Sequence, residues 1–342
     1  MTPHLTRHAP LLLLVFALLA PLLAPNDYVV GVMARICLYA LLALGLNVVV
    51  GFAGLLDLGF VAFFGIGSYL YAFLASPHFG LHLPFAFAMI AATLASTAFG
   101  VLIGAPTLRL RGDYLAIVTL GFGEITYISL VNLDRPVNIT GGPNGIITVD
   151  PPSFLGYVID RNIEYYYLFL IALGVIALFS LRLRDSRIGW QWRAIREDEI
   201  AAEAMGVNTT LSKLQAFAIG AAVAGFAGGL LASWQRSVFP DNFLLQESIN
   251  VLAMVVLGGI GSVPGVILGA AVIVAVPEVF RDLALYRLLA FGVILILVII
   301  LRPQGLLSTR TAPRLNWSLR QYLHRIRQRS ARRLLQQSQG QG

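Results

Sequence analysis

The chain has 342 residues, of which 58% are hydrophobic and only 12% are charged. Soluble domains carry about 25% charged residues, so this composition excludes an ordinary soluble protein. The formal net charge is +7, from 24 Lys and Arg residues against 17 Asp and Glu residues. The single cysteine, Cys37, excludes a disulfide framework. The single lysine, Lys213, follows Leu-Ser rather than Gly, so the Gly-Lys-Ser/Thr loop of a P-loop ATPase is also excluded.

Apolar runs along most of the chain predict membrane-spanning helices, because about 20 apolar residues cross the hydrocarbon layer as a helix. In chain order, the runs are Leu11 to Ala24, Val29 to Val50, Leu58 to Ala75, Phe85 to Ile103, Tyr114 to Leu133, Tyr165 to Leu181, Leu214 to Trp234, Ile249 to Val276 and Leu288 to Leu301. The first run also fits a secretory signal, but Pro25 directly follows the cleavage position and favours an uncleaved helix.

The number of crossings depends on the glycine-rich segment Gly258 to Gly265, which is too rich in helix breakers for one smooth span. A re-entrant loop there gives eight crossings, whereas a tight turn between two short helices gives ten. Small residues four apart, as in Gly100-Gly104, Ala221-Gly225-Gly229 and Gly261-Gly265-Gly269, predict close packing between helices. We therefore predict an all-α polytopic integral membrane helical bundle with 8–10 transmembrane helices.

Positively charged loop residues predict the orientation, because short loops rich in Arg and Lys stay in the cytoplasm. The loop at about 182–213 carries five arginines and Lys213, whereas the segment Asp134 to Glu164 is mainly acidic and is expected on the other side. Nine of the 24 basic residues follow Leu301. We predict a transmembrane domain over residues 1–307 and a basic cytoplasmic tail over residues 308–342.

The tail has Leu315, Leu319, Leu323 and Ile326 at three- and four-residue spacings, with arginines between them. This pattern favours an interfacial helix on anionic lipid, and a disordered basic tail is the alternative. The positive charge is concentrated in the tail and is not spread over a nucleic-acid-binding surface, so we expect membrane lipid rather than nucleic acid as its partner.

Three polar residues in or beside the apolar runs are candidates for a transport pathway: Asn47, Asp57 and Glu124. Asp57 also fits the N-cap of a helix that starts at Leu58. Glu124 also fits a buried acid bonded to a neighbouring backbone or to Arg35. The sequence has neither a His-Glu-x-x-His motif nor a Gly-x-Ser-x-Gly motif, so we expect no metal site and no enzyme activity.

The most informative polar stretch is Trp192 to Met205, whose Ala, Glu and Arg residues predict one cytoplasmic helix that stops at Gly206. Ile195, Ile200, Ala204 and Met205 form an apolar stripe beside a charged face. Such a helix lies on the membrane surface or docks into a groove of a partner, and a solvated linker helix is the alternative.

Several motifs together resemble the LivM-type permease subunit of branched-chain amino-acid ABC importers. They are Gly45 to Gly54, Leu108 to Glu124, Thr140 to Gly145, Arg193 to Gly206 and Arg302 to Leu306, and they follow the expected order between Val29 and Leu307. Many relatives have a Gly-His pair where this chain has Gly59-Phe60, so any role of that histidine is absent here.

The resemblance implies a second, LivH-like permease subunit, two ATP-binding subunits and a periplasmic solute-binding protein as partners. ATP is then bound by the partners, and this chain needs no cofactor. It also implies that the cytoplasmic helix is a coupling helix that sits in a groove of the ATPase. The residues expected to carry this coupling are Trp192, Arg193, Arg196, Glu197, Asp198, Glu199, Glu203, Ala204 and Gly206.

The resulting hypothesis is a multi-pass permease subunit of the bacterial inner membrane, with a cytoplasmic C-terminus, that couples ATP hydrolysis by its partners to import of branched-chain or other hydrophobic amino acids. An ion-coupled secondary transporter that uses Glu124 and Asp57 is the main alternative. A membrane scaffold held by the basic tail is a third possibility. The sequence does not identify the substrate.

Overall fold

The computed structural model describes residues 17–22, 24, 26–77, 80–107, 112–154, 157–280, 292, 296, 300 and 305–307. Half of the predicted first span, Leu11 to Ala24, lies outside these residues, as do most of the predicted last span, Leu288 to Leu301, and the whole basic tail 308–342.

Within the described residues, the chain forms a series of α-helices with very little β-structure. The helices are α1 (Asp27–Leu46), α2 (Val61–Leu74), α3 (Phe85–Thr107), α4 (Asp113–Asn132), α5 (Asn162–Arg184), α6 (Arg187–Glu197), α7 (Glu199–Ala204), α8 (Thr209–Gln235), α9 (Leu245–Gly258) and α10 (Val263–Val279). Four two-residue strands lie between them: β1 (Ile146–Ile147), β2 (Ser153–Phe154), β3 (Tyr157–Val158) and β4 (Ser237–Val238).

Five of these helices are long and apolar enough to cross a membrane: α1 with the π-helical turn Asn47–Phe52 that extends it, α3, α4, α5 and α8. Helices α2 and α10 are apolar but shorter. The prediction of an all-α polytopic membrane bundle is thereby confirmed, with helix ends that differ by a few residues from those predicted. The largest difference at a helix start is in α8, which begins at Thr209 rather than at Leu214.

Helix α8 is the centre of the bundle and packs against α1, α2 and α3. Its small residues allow this close approach, as predicted. A Cβ atom added to Gly225 would lie 2.3 Å from Ser96 Cβ of α3, and one added to Gly228 would lie 2.2 Å from the carbonyl oxygen of Phe64 of α2. Because lipid tails are as apolar as the side chains, such close backbone contact replaces hydrophobic burial as the source of helix association.

The segment Gly258 to Gly265 contains a tight turn between two helices. Helix α9 ends at Gly258 and α10 begins at Val263, and the backbone N–H of Ser262 donates to Gly259 O at 3.0 Å. Gly259 and Gly261 have φ values of +115° and +84°, which glycine adopts without strain. The run Ile249 to Val276 is therefore not one span but two helices joined by a tight turn.

The two ends of the bundle are formed by different parts of the chain. At one end, Asn162 Nδ2 at the start of α5 donates to Asp27 Oδ2 at the start of α1 at 2.8 Å, and β1 pairs with β4 in an antiparallel ladder. At the other end lie the turn between α9 and α10, the segment Gly51 to Gly54 after α1, and the loop that carries α6 and α7. Residues Leu306 and Leu307 join this second end, because their N–H groups donate to Leu257 O and Gly258 O.

Candidate functional site

The predicted coupling helix is two helices, α6 and α7, with a break at Asp198. Asp198 has extended backbone angles, φ −159° and ψ 110°, and its Oδ1 accepts hydrogen bonds from Ile200 N at 2.9 Å and Ala201 N at 3.1 Å. Asp is a preferred N-cap residue, so it ends one helix and begins the next. The prediction of one continuous helix from Trp192 to Met205 was wrong at this residue.

Gly206 ends α7, as predicted. Its φ of +86° lies in the left-handed region, and its N–H donates to Glu203 O at 2.9 Å while Val207 N donates to Ala202 O at 3.1 Å. These bonds satisfy carbonyl groups that the helix end would leave unpaired. Asn208 then caps the next helix, α8, by accepting from Leu211 N at 2.9 Å. We refer to residues 186–208, the part of the predicted coupling loop at about 182–213 that contains α6 and α7, as the coupling loop.

Trp192 anchors the coupling loop to the bundle. Its side chain is fully buried, and Nε1 donates to the carbonyl oxygen of Ser212 in α8 at 2.7 Å. Ile195, one turn further along α6, is buried on the same side. A buried Trp stabilises a contact by its large apolar area as well as by its N–H group. The inner face of α6 therefore holds this helix in a fixed position on α8.

Arg196 makes a second connection, to the end of α1. Its Nη1 donates to Gly51 O at 2.6 Å, and a Cβ atom added to Gly54 would lie 2.7 Å from Arg196 Cγ. A Cβ atom on Gly261, in the turn between α9 and α10, would lie 3.4 Å from Arg196 Nη1. Arg196 thus lies between two backbone segments of the bundle and joins the coupling loop to both.

An ion pair between Glu199 and Lys213 makes the third connection. Lys213 Nζ lies 2.6 Å from Glu199 Oε1, and the two side chains are 3% and 26% exposed. Glu199 belongs to α7 and Lys213 to α8. Sequence reasoning missed the role of Lys213, because it used this residue only to exclude a P-loop and as a cytoplasmic charge. Its one available signal was that the chain's single lysine stands at the start of an apolar helix.

Arg193 ties the start of the coupling loop to the end of α5. Its Nη2 donates to Arg184 O at 2.6 Å, and its guanidinium carbon lies 3.9 Å from the ring centre of Trp190. Hydrogen bonds from Arg184 hold the pKa of Asp185 below its ordinary value, with the positive charges of Arg184 and Arg193 contributing. The carboxylate therefore stays ionised between these two arginines.

The outer face of the coupling loop carries the remaining predicted residues. These are exposed: Glu197, Asp198, Glu203, Ala204 and Gly206, together with the apolar Ile200 and Met205. Met205 is 85% exposed and Ile200 is 66% exposed. The predicted coupling residues thus divide into an inner set that binds the bundle and an outer set that is free to contact another protein.

The three predicted pathway residues do not form one site. Asn47 is fully buried, and its Oδ1 accepts from Gly261 N at 2.9 Å. Asp57 is also buried, but it does not cap α2. Its Oδ1 accepts from Gly59 N at 2.9 Å in a turn that precedes the helix, and Leu58 N donates to Thr119 Oγ1 of α4 at 3.1 Å. Both residues fix backbone segments against neighbouring helices.

Glu124 differs from these two because it is half-exposed, near the middle of α4. It interacts electrostatically with Tyr127, whose hydroxyl group donates to Asp241 Oδ1 at 3.3 Å. Arg35 interacts in the same way with Tyr39 and Glu247. Tyr127 and Asp241 were missed by sequence reasoning, because nothing in the sequence brings the turn before α9 next to α4.

Comparison with known proteins gives a consistent result. The family described as branched-chain amino acid transport system permease component matches residues 28–301. The high-affinity branched-chain amino acid transport system permease protein LivM of Salmonella typhimurium is 43% identical over 326 residues, which cover 89% of this chain and 75% of the relative. BraD of Pseudomonas aeruginosa, a permease protein of the same kind of system, is 30% identical, with coverages of 79% and 91%.

More distant similarity extends to the permease protein LivH of Escherichia coli, which is 26% identical, again over 79% of this chain and 91% of the relative. No solved structure matches the chain. The family match covers most of the helical bundle and the whole coupling loop, and the identity to LivM extends over nearly the whole chain. This chain therefore belongs to the permease component family of branched-chain amino-acid transport systems.

Proposed function

We propose that this chain is a permease subunit of an ABC importer for branched-chain or other hydrophobic amino acids, and that ATP hydrolysis by partner subunits drives translocation. The observation that carries the proposal is the division of the coupling loop into two faces. The inner face is fastened to the bundle by Trp192, Arg196 and Glu199, whereas the outer face is exposed. A force applied to the outer face reaches α1 and α8 directly.

The coupling loop lies on the cytoplasmic side of a bacterial inner membrane in this proposal. Five arginines between Arg182 and Arg196 support this side, because positive residues in short loops stay in the cytoplasm. Leu306 and Leu307 lie at the same end of the bundle, which supports a cytoplasmic C-terminus. The periplasmic solute-binding protein would then meet the opposite end, where β1 pairs with β4.

The remaining partners are two ATP-binding subunits, which dock on the outer face of the coupling loop, and a second, LivH-like permease. Similarity to LivH supports a pair of related permeases, since both halves would share one fold. We place the pathway along the half-exposed side of α4 at Glu124. In this proposal Asn47 and Asp57 do not line the pathway but hold the backbone of Gly261 and Gly59 in place. ATP binds to the partner subunits, and this chain contributes no cofactor site.

Charge reversal on the outer face tests the coupling assignment. In Glu203→Arg and Glu197→Arg, we expect loss of co-purification with the ATP-binding subunits and a parallel loss of uptake. The new positive charges would face a surface of the ATP-binding subunits whose charge complements the two glutamates. Val137→Arg, an exposed position at the opposite end, serves as the control for co-purification. Unchanged co-purification and uptake in both glutamate variants would show that this face does not bind the ATPases.

Uptake measured in vesicles that contain this chain alone, without ATP, distinguishes the ion-coupled alternative from the proposed ATP-driven importer. Our proposal expects no uptake there, and uptake that appears only when all partner subunits and ATP are supplied. Uptake by the isolated chain that an uncoupler abolishes would instead establish the secondary transporter. None of the comparisons supports that alternative.

A further inference from the structure

A cavity of about 300 Å³ lies between the coupling loop and the bundle. Its walls come from four separate parts of the chain: the segment after α1, the start of α4, the junction of α6 and α7, and the first turns of α8. The lining residues are Ala53, Gly54, Leu55, Leu56, Gly112, Leu115, Ile195, Arg196, Glu199 and Lys213. The cavity is therefore at the end of the bundle that we place in the cytoplasm.

The lining combines two cations, one carboxylate and an aliphatic surface. Lys213 and Arg196 supply the positive charges, and Glu199 supplies the negative charge. Lys213 is buried in its ion pair with Glu199, whereas Arg196 is exposed. A guanidinium group has five N–H donors, so the hydrogen bond from Arg196 to Gly51 leaves donors for a ligand. Leu55, Leu115 and Ile195 are buried apolar residues of the same cavity.

This chemistry matches a small zwitterion with an aliphatic side chain. Ligand cavities start at about 300 Å³, so the space suits a molecule of the size of an amino acid rather than a nucleotide. We propose that the cavity binds a free aliphatic amino acid from the cytoplasmic side. The carboxylate lies at the exposed guanidinium group of Arg196, the ammonium group lies at Glu199, and the side chain packs on the aliphatic surface.

Occupancy of this cavity regulates transport because its walls belong to the coupling loop and to the bundle. A ligand shifts a conformational equilibrium by its difference in affinity between the two states. A molecule that contacts Glu199 of the coupling loop and Leu115 of the bundle binds best when the loop packs on the bundle as in this structure. Because movement of the loop would break one of these contacts, the bound molecule opposes that movement. Accumulated product therefore slows import. This inference rests on the proposed function, because it requires the coupling loop to move during transport.

Binding is tested first, by calorimetric titration of the complete transporter in lipid nanodiscs with no solute-binding protein present. The probes are leucine, 4-methylpentanoate, which lacks the ammonium group, 3-methylbutylamine, which lacks the carboxylate, and inorganic phosphate. We expect leucine to bind at least about tenfold more tightly than the three others, because each of them leaves a charged lining group without its counterpart. Equal binding of phosphate or of 4-methylpentanoate would overturn the assignment to an amino acid.

Regulation is tested with a variant that fills the cavity. Leu56→Trp places a large side chain at a lining residue that is 38% exposed, so the fold tolerates it. Leu211→Trp, at a 51% exposed residue of α8 outside the lining, is the matched control. Right-side-out proteoliposomes are loaded with ATP and with either leucine or glycine, and the initial rate of labelled leucine uptake is measured from outside.

We expect luminal leucine to slow the initial rate about fivefold or more relative to luminal glycine, in the unmodified protein and in Leu211→Trp. Leu56→Trp should show the same rate with either amino acid. Because each variant is compared with itself, a change in its basal rate does not affect the result. Equal slowing in Leu56→Trp would overturn the inference, whereas no uptake in any vesicle would instead contradict the proposed function.

Discussion

Lys213 and Glu199 show how one buried charge depends on its partner. The ammonium group of Lys213 is almost completely inaccessible to water, whereas a quarter of the Glu199 side chain is exposed. A buried charge that loses its partner cannot be hydrated where it lies. Removal of Glu199 should therefore destabilise the protein more than removal of Lys213, although the two residues form one ion pair.

Removing either member should reveal this inequality. We expect Glu199→Gln to lower the stability of the purified complex by about 3 kcal/mol, because the ammonium group stays buried without a counter-charge. Lys213→Met should cost only about 1 kcal/mol, since Glu199 can turn its carboxylate towards water. Thermal unfolding of both single variants and of the double variant measures the order.

The double variant is the control, because it removes both charges together. It should unfold near the temperature of Lys213→Met, and above that of Glu199→Gln. A Lys213→Met protein less stable than Glu199→Gln would show that the burial of Lys213 does not control this contact.

At this scale, residues with special backbone roles were predictable in part. Gly206 was recognised as a helix stop because a left-handed residue after a helix is usually glycine. Asp198 was not recognised as a cap, because Arg-Glu-Asp-Glu-Ile reads as continuous helix by propensity alone. The contacts of Arg196 with Gly51 and Gly261 join residues far apart in the chain, and no local pattern encodes them.

At the scale of helices, too, the sequence predicted that close contacts would form but not which helices would make them, as the packing of α8 shows. The four-residue spacing in Ala221-Gly225-Gly229 predicted close packing, and the structure confirms it, with these three positions facing mainly α3. The spacing did not predict which helices would fill the contact. Gly67 of α2 approaches the backbone of Gly225, and an added Cβ atom there would lie 2.3 Å from Gly225 O.

Gly67→Ala should therefore push α2 away from α8. Overpacking of a tight contact costs about 1–3 kcal/mol, and we expect a lower unfolding temperature and less assembled transporter in the membrane. Gly174→Ala in α5 is the matched control, because no atom lies within 4 Å of its added Cβ and alanine favours the helix by up to about 1 kcal/mol. Equal stability of the two variants would mean that α2 and α8 do not need this close contact.

Within the described residues, the long apolar helices were predicted from their runs, since apolar runs of sufficient length have few other solutions in a membrane. The turn between α9 and α10 was not decided by sequence. Glycine-rich segments suit a re-entrant loop and a tight turn equally well, and only the packing of Gly258 against Gly265 and Gly269 distinguishes the geometry.

For the whole molecule, the contrast between central and peripheral helices is informative. An apolar 18-residue stretch of α8 is 78% buried within this chain, whereas the corresponding stretch of α4 is 22% buried. Helix α4 is mostly exposed within its own chain, and it carries the carboxyl group of Glu124, which needs a polar environment. Ionisable residues within a membrane usually face a water-filled space or a partner. This is the reason for placing the pathway on α4.

Cysteine accessibility tests this placement, because the chain has a single cysteine, the buried Cys37. In a Cys37→Ser background, we expect Glu124→Cys in the assembled transporter to react with a membrane-impermeant maleimide. Ile171→Cys, an exposed position of α5, should face lipid and stay unlabelled. Mass spectrometry of the labelled chain gives the result, and an unreactive Glu124→Cys together with a reactive Ile171→Cys would reverse the assignment of the two faces.

The burial of Lys213 also decides which chemical probes can report on the assembled transporter. The only side-chain amine of the chain lies in an ion pair and is 3% exposed, so amine-directed cross-linkers will not reach it. Cross-linking with such reagents will report contacts among the partner proteins but will give no cross-links to the coupling loop. Carboxyl-directed reagents, which can reach the exposed Glu197 and Glu203, are the ones that will place it.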